Sequence, residues 1–301
     1  MDQGSPFDVV VIGGSFAGLS AAMQIARARR SVLVIDSGKP RNRFASHSHG
    51  FLAQDGKTPE EILTVARDQL FAYPTASLMN ETVMSARGEK DAFELSTSSG
   101  NVVYGKRIII AVGVSDQLPN LPGLKEKWGQ GVLHCPYCHG YEIAGDRLGV
   151  FATSNIAAHQ AHVVRDWGKV TVFLQDGFVF DADAQGELEK MGLPVEPVPL
   201  AGIEGEGRDI SHVVLKDGRK VALDALFVAP QTEMSTPIAT QLCCETTPRP
   251  LGDFITVDDW QATSVPGVFA AGDAASGWTN ATIASAAGVQ AGVAAHQSLL
   301  R

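Results

Sequence analysis

An α/β chain of two Rossmann-like nucleotide-binding domains, the second inserted in the first, is predicted by three features of the sequence. A strand, glycine loop, helix, strand and acid follow one another at the start; the same pattern returns near the middle; and a buried strand ending in Gly-Asp precedes a long helix at the end. The 301 residues, 45% of them hydrophobic, give room for about two globular domains. A formal charge of -9 with no block of Lys or Arg argues against nucleic acid or an anionic membrane as partner. No basic-then-apolar leader precedes Phe7 and the longest apolar runs are strand-sized, so no signal peptide or membrane span is expected and the cytoplasm is the expected compartment.

Residues 7–12 (FDVVVI) are β-branched enough for a buried parallel strand, 19–30 read as an alanine-rich helix, and 31–35 as the second strand, ended by Asp36. Between strand and helix lie Gly13, Gly14, Ser15, Phe16, Ala17 and Gly18. Gly13 permits the tight turn, the small residues let a pyrophosphate approach the backbone, Gly18 lets helix pack on strand, and Asp36 would take ribose hydroxyls. The loop 39–56 is polar, with Arg41, Arg43, His47 and His49, and its cations suit a phosphate or an electron-rich ring system; a solvated basic loop is the plainer alternative. An amphipathic helix is expected over 58–71, opened by Pro59 and two acids, then short strands near 82–86, 92–97 and 102–104, and a buried parallel strand over 107–112.

Pro119, Pro122 and Gly123 mark one linker and residues 229–237 a second. Between them a strand (147–151), a helix (156–166) and a strand (169–174) repeat the first unit at a constant offset of 139 residues, so that Ala152 falls on Gly13, Ala157 on Gly18 and Gln175 on Asp36. The copy has lost its glycines. Cβ atoms stand where phosphate oxygens would need the backbone, and no Arg follows to hold a 2′-phosphate, so NADPH is a doubtful ligand. The chain then returns to its first domain through strands at 254–257 and 268–273, the latter ending in Gly272 and Asp273, and a helix over 280–300 whose start near Ala281 and Thr282 offers free N–H groups and positive dipole.

Ahead of the second copy stands His134-Cys135-Pro136-Tyr137-Cys138-His139. Two thiols three positions apart can cycle between dithiol and disulfide, each lowering the cost of thiolate on the other. Zinc would need two further ligands, and no second CxxC or HxxxH is present. His139 and His134 are candidates to move protons, because imidazole titrates near neutrality. Cys243 and Cys244 are adjacent and read as structural.

GGSFAG at the start, AVG at 111–113, CPYC in the inserted unit and GVFAAGD near the end, in this order and spacing, resemble the low-molecular-weight thioredoxin reductases over nearly the whole chain. The resemblance implies a homodimeric flavoprotein of two three-layer ββα-type domains: residues 1–116 and 238–301 binding FAD, and 117–237 as the inserted pyridine-nucleotide-type domain carrying the CxxC. It adds Ser37, Val83, Ala111 and Gly113 to the cofactor residues, and makes Cys138 the flavin-facing sulfur and Cys135 the one that exchanges with substrate. HCPYCHG and the loop NRFASHSHGFLAQDG are most similar to the branch holding gliotoxin- and holomycin-type dithiol oxidases and nicotinamide-independent thioredoxin reductases. That implies an FAD-dependent thiol-disulfide oxidoreductase acting on a small dithiol or disulfide, or on a thioredoxin-like protein, and in the first place a dithiol oxidase passing electrons to oxygen or another acceptor without NADPH. A disulfide reductase driven by NADPH or ferredoxin, and a non-catalytic flavin redox sensor, are the alternatives.

Overall fold

The computed structural model describes residues 5–300, and the chain divides into two units, one made of residues up to 43, Glu60–Ser115 and residues from Thr232 on, the other of Phe44–Pro59 and Asp116–Gln231. In the first unit, β1 (Val9–Ile12), β2 (Val32–Ile35), β3 (Ala76–Met79), β7 (Ile108–Ile110) and β20 (Val268–Ala270) form a parallel sheet in the order β20-β7-β1-β2-β3. One face carries α1 (Phe16–Arg27), α2 (Pro59–Phe71) and α8 (Ala281–Ser298), packed on Val9, Val11, Val32, Val34 and Ile109. The alternate residues Val10, Ile12, Leu33, Ile35, Ile108 and Ile110 face the antiparallel meander β4 (Val83–Arg87), β5 (Phe93–Thr97), β6 (Val102–Gly105) and the short α7 (Ile238–Gln241). Strands covered on both faces need an unbroken apolar run, which VVVI, VLVI and III supply.

The second unit repeats this plan. Its parallel sheet runs β12-β11-β10-β16-β9, from β9 (Val132–Leu133), β10 (Gly145–Ala152), β11 (Gly168–Leu174), β12 (Val195–Glu196) and β16 (Ala225–Val228). Helices α5 (Ile156–Val164) and α6 (Ala182–Met191) cover one face; the meander β13 (Leu200–Glu204), β14 (His212–Leu215), β15 (Lys220–Ala222) and the turn of helix α3 (Leu124–Lys127) cover the other. The duplication read at the 139-residue offset is therefore a duplication of topology. It has one consequence for function: β9, which leads into the CPYC, holds the sheet position that β20, which leads into Gly272-Asp273, holds in the first unit.

Several boundaries differ from the expectation. α1 starts at Phe16 rather than 19, so Gly18 lies inside the helix, where a Cβ would run into the Gly13 carbonyl. The second stretch read as a linker contains β17 (Gln231–Met234), which pairs with β8 (Val114–Gln117), just ahead of the first; β18 (Thr246–Thr247) and β19 (Phe254–Ile255) form a further hairpin. β3 and the β13-β14-β15 meander had no counterpart in the sequence reading; ASLM and its neighbours are half polar, because edge strands and meanders are covered on one side only. By compactness the second unit also takes the loop 44–59, which the resemblance had placed in the first domain.

Packing around the first glycine loop is tighter than the loop itself required. Gly288 and Gly292, four apart on α8, let that helix lie directly on α1, with a Cβ at either meeting the backbone of Ala17 or Ala21. Arg107, 1% exposed, closes the other end of α8: it donates to the Ser298 hydroxyl and carbonyl at 2.6 and 2.7 Å and to Asp91 at 2.6 Å. Hydrogen bonds of this charge-assisted kind contribute ~1.5–3 kcal/mol each, so the fully buried arginine is a structural tie rather than an exposed cation. Among the described residues no helix is long and apolar enough to cross a membrane.

Candidate active site

CPYC stands at the C-terminal end of β9, where open parallel sheets present their functional groups. Pro136 fixes the first residue of a single helical turn, α4 (Pro136–His139), with Cys135 as its extended N-cap residue. The turn brings Cys138 back over Cys135, their Cα atoms 5.4 Å apart, and the two are joined as a disulfide. A thiolate released at Cys135 lies at the open N–H end of that turn, which favours the charged form. Gly140 ends the motif because the Trp167 indole occupies the space of its side chain; Trp167 also meets the exposed Tyr137 ring edge-on at 5.5 Å.

The two histidines are held differently. His134 Nδ1 lies 3.2 Å from the Val228 carbonyl, an acceptor only, so Nδ1 carries the hydrogen and Nε2 is the basic nitrogen. Its own carbonyl accepts from Gln160 Nε2 at 2.9 Å. Gln160 is 7% exposed on α5 and its Oε1 has no partner. The sequence reading passed over it, because 156–166 was read only as the remnant of a nucleotide-binding helix. Burial pushes the His139 imidazole below its ordinary value, opposed by the Glu142 carboxylate and reinforced by His49. The shift favours the neutral form of His139, which can accept a proton but holds it less firmly than a free imidazole.

In the first unit the glycine loop keeps the form a pyrophosphate needs. Gly13 has φ 103° with the Ala111 carbonyl where a Cβ would be, and Gly14 abuts Asp36. Ser15 is the extended N-cap of α1 and spends no side-chain bond on capping, so the helix start offers its first-turn N–H end, at Ala17, to a ligand. Arg67, which the sequence reading did not single out, pairs with Asp36 Oδ2 at 2.9 Å and leaves Oδ1 for a ligand; exposed Ser37 follows. Arg41 and Asp273, 232 residues apart, meet at 3.0 Å, next to Gly272 at φ 75°. Asn280 caps α8 by accepting the Ile283 N–H at 2.7 Å, which leaves the N–H groups of Ala281 and Thr282 as the open end. A glycine cradle at one helix start, an acid after β2 and a second open helix start fit a flavin dinucleotide.

Other expected cofactor residues take other places. Val83 is 3% exposed and part of the core beneath the meander. Gly113 has φ 63° at the start of β8. Arg43 turns back on the Pro40 carbonyl at 2.9 Å. His49, expected beside the cofactor, has its charged neighbours in the second unit: Asp55 at 3.6 Å and Glu142 at 3.5 Å. Cys243 and Cys244 are both free thiols, the first exposed, the second buried with its thiol pushed up by that burial, as the structural reading of the pair expects.

The second glycine-loop position is built differently. Asn155 starts α5 in a helical conformation and donates to Asp181 Oδ2 at 2.5 Å, while the Asp181 N–H returns to Asn155 Oδ1 at 3.2 Å and its carboxylate caps α6. Every residue from 152 to 157 bears a Cβ, whereas Gly13, Gly14 and Gly18 have none.

Residues 7–288 match the family model of the pyridine nucleotide-disulphide oxidoreductases. The thioredoxin reductase sirT of Leptosphaeria maculans is 33% identical over 96% of this chain and 93% of its own length, and the thioredoxin reductase tcpT of Claviceps purpurea 32% identical over 100% and 96%. Among solved structures, an oxidoreductase from Agrobacterium tumefaciens superposes with a TM-score of 0.93 at 43% identity, covering 98% of this chain and 99% of that one, and HlmI with 0.91 at 35%, covering 98% and 93%.

Proposed function

Since the chain belongs to the pyridine nucleotide-disulphide oxidoreductase family, and is an FAD-dependent disulfide oxidoreductase of the thioredoxin reductase-like kind, we propose that it oxidises a dithiol substrate to a disulfide and does so without NADPH. The observation that carries this reading is the contrast between two copies of one fold. The loop at Gly13–Gly18 keeps its glycines, and the loop at residues 152–157 has none and is bridged by Asn155 and Asp181. A nicotinamide dinucleotide would have to displace that bridge and set its phosphates beside a carboxylate.

The chain's own residues supply the sulfur chemistry. A substrate thiolate attacks Cys135 Sγ, the Cys135–Cys138 bond breaks, and Cys138 leaves as thiolate; the second substrate thiolate then attacks the substrate sulfur of the mixed disulfide and releases Cys135. Substrate leaves as a disulfide, the enzyme holds two thiolates, and two protons have been given up. His139, neutral through burial, takes a proton, and His134 offers Nε2 from a ring fixed by Val228. Gly13–Ala17, Asp36, Arg41, Asp273 and the start of α8 would hold FAD, which would supply a two-electron acceptor for the dithiol pair. In this reading the protein works as a cytoplasmic homodimer on a small dithiol or a thioredoxin-like partner, with oxygen or another acceptor as the final oxidant.

The test is turnover in air. Dithiol oxidation followed by thiol loss and oxygen uptake is expected at full rate in the purified yellow protein with no nucleotide added. A requirement for NADPH, or consumption of NADPH coupled to disulfide reduction, would assign the opposite direction.

A further inference from the structure

In the dithiol-oxidation reading each oxidation releases two protons beside a half-buried disulfide, and titratable side chains of the loop 44–59 and Glu142 cluster near the redox turn. We propose that His49, carried in by the loop 44–59, is the second imidazole of a proton path that begins at His139 and ends at the solvent-facing carboxylates of Glu142 and Asp55. This rests on the dithiol-oxidation reading above.

The loop is built to hold this side chain. Its neck is a pair of backbone bonds, Ser48 N–H to the Lys57 carbonyl at 2.8 Å and Gly56 N–H to the Ser48 carbonyl at 2.9 Å, and its tip is closed by the Gly50 N–H on Asp55 Oδ1 at 2.8 Å. Its base is anchored to the second unit, where Arg208 donates to the carbonyls of both Phe44 and Trp128. Gly50 lies against the redox turn, a Cβ there falling 3.9 Å from the Tyr137 carbonyl oxygen. An ordinary solvated loop has no need of this anchoring.

Exposure rises outward from the two rings. His139 and His49 are both part-buried, the side chain of His49 being 23% exposed, that of Glu142 40% and that of Asp55 67%. His49 Nδ1 lies 3.5 Å from Glu142 and 3.6 Å from Asp55, so a proton arriving on that ring has a carboxylate at each side and water beyond. Among the described residues the charged and titratable groups near the two rings include Glu142 and His49 beside His139, and Asp55, Glu142 and the His47 ring at 6.4 Å beside His49. A part-buried neutral imidazole such as His139 can accept a substrate proton once; without an outlet it remains charged in a poor dielectric and cannot serve the next turnover. His49 is thus a relay residue acting through His139, touching neither sulfur.

The experiment uses the flavin-loaded protein, mixed anaerobically with reduced dithiothreitol across pH 5.5–9, with flavin bleaching as readout. His49→Asn is expected to slow bleaching by about 10-fold or more at neutral pH, less than loss of a direct acid-base group, and added imidazole should restore much of the rate. Glu142→Gln should act in the same direction with a smaller effect, and both variants should keep stoichiometric FAD. An unchanged pH profile in both variants, or slowing that imidazole does not relieve, overturns the relay. Loss of FAD from His49→Asn overturns it too, and returns His49 to the cofactor. Failure of the wild-type protein to bleach with dithiol would instead sink the dithiol-oxidation reading itself.

Discussion

Cys138→Ser should leave a fully yellow protein with dithiol turnover reduced on the order of 10³-fold, since removing one member of a two-thiol relay removes the intermediate rather than a contact. The side chain sits in the second unit, in the turn that follows β9, while the glycine cradle and Asp36 lie in the first. Nothing that grips the dinucleotide changes. FAD content and the visible spectrum are therefore expected to match the parent, and absorbance with thiol titration measures both. A sensor without turnover would show no such loss, so the size of the drop separates a relay from a reporter.

Gly13→Ala should produce the reverse result, a colourless protein with its disulfide intact. At φ 103° an L-residue is strained, and its Cβ would be driven into the Ala111 carbonyl, on the loop that must also meet the pyrophosphate. Two such costs of ~1–3 kcal/mol each predict FAD binding weaker by about 100-fold or more. Gly177→Ala is the matched control. Its φ is also positive, at 76°, but nothing lies within 4 Å of the new Cβ, so it should keep the flavin and cost only a small loss of stability. Equilibrium titration of the apoprotein with FAD, together with a thermal scan to confirm folding, compares the two.

The parts legible in the sequence are those whose chemistry is local. Gly13, Gly18 and Asp36 declare themselves because a tight turn, a close helix and a ribose each need one residue type at one spacing, and CPYC because two thiols must reach each other across one turn. The 139-residue offset was legible because both copies keep VVVI-like and VFA-like buried runs. What stayed hidden depends on long-range packing. Arg107 reads as a charge at a strand start and is instead a buried tie to the last turn of α8. Gln160 and Arg67 read as polar positions on helices, and acquire meaning only from the His134 carbonyl and the Asp36 carboxylate that tertiary structure sets against them. The loop 39–56 was read as a cofactor loop from its cations; Arg41 does meet Asp273 in the first unit, while anchoring by Arg208 and pairing with Glu142 group residues 44–59 with the redox turn. Gly288 and Gly292 did carry a signal, two glycines one turn apart in an alanine-rich helix, which marks close helix packing.

The central claim is that electrons enter through Cys135 and Cys138 while the second dinucleotide loop, without glycines, takes no nucleotide. The most direct measurement mixes the oxidised protein, without oxygen, first with NADPH and then with reduced dithiothreitol, and follows the flavin band. A band that survives stoichiometric NADPH and disappears on adding the dithiol is the predicted result. Rapid bleaching by NADPH alone would contradict it, and would mean that the bridge between Asn155 and Asp181 opens for a nucleotide after all.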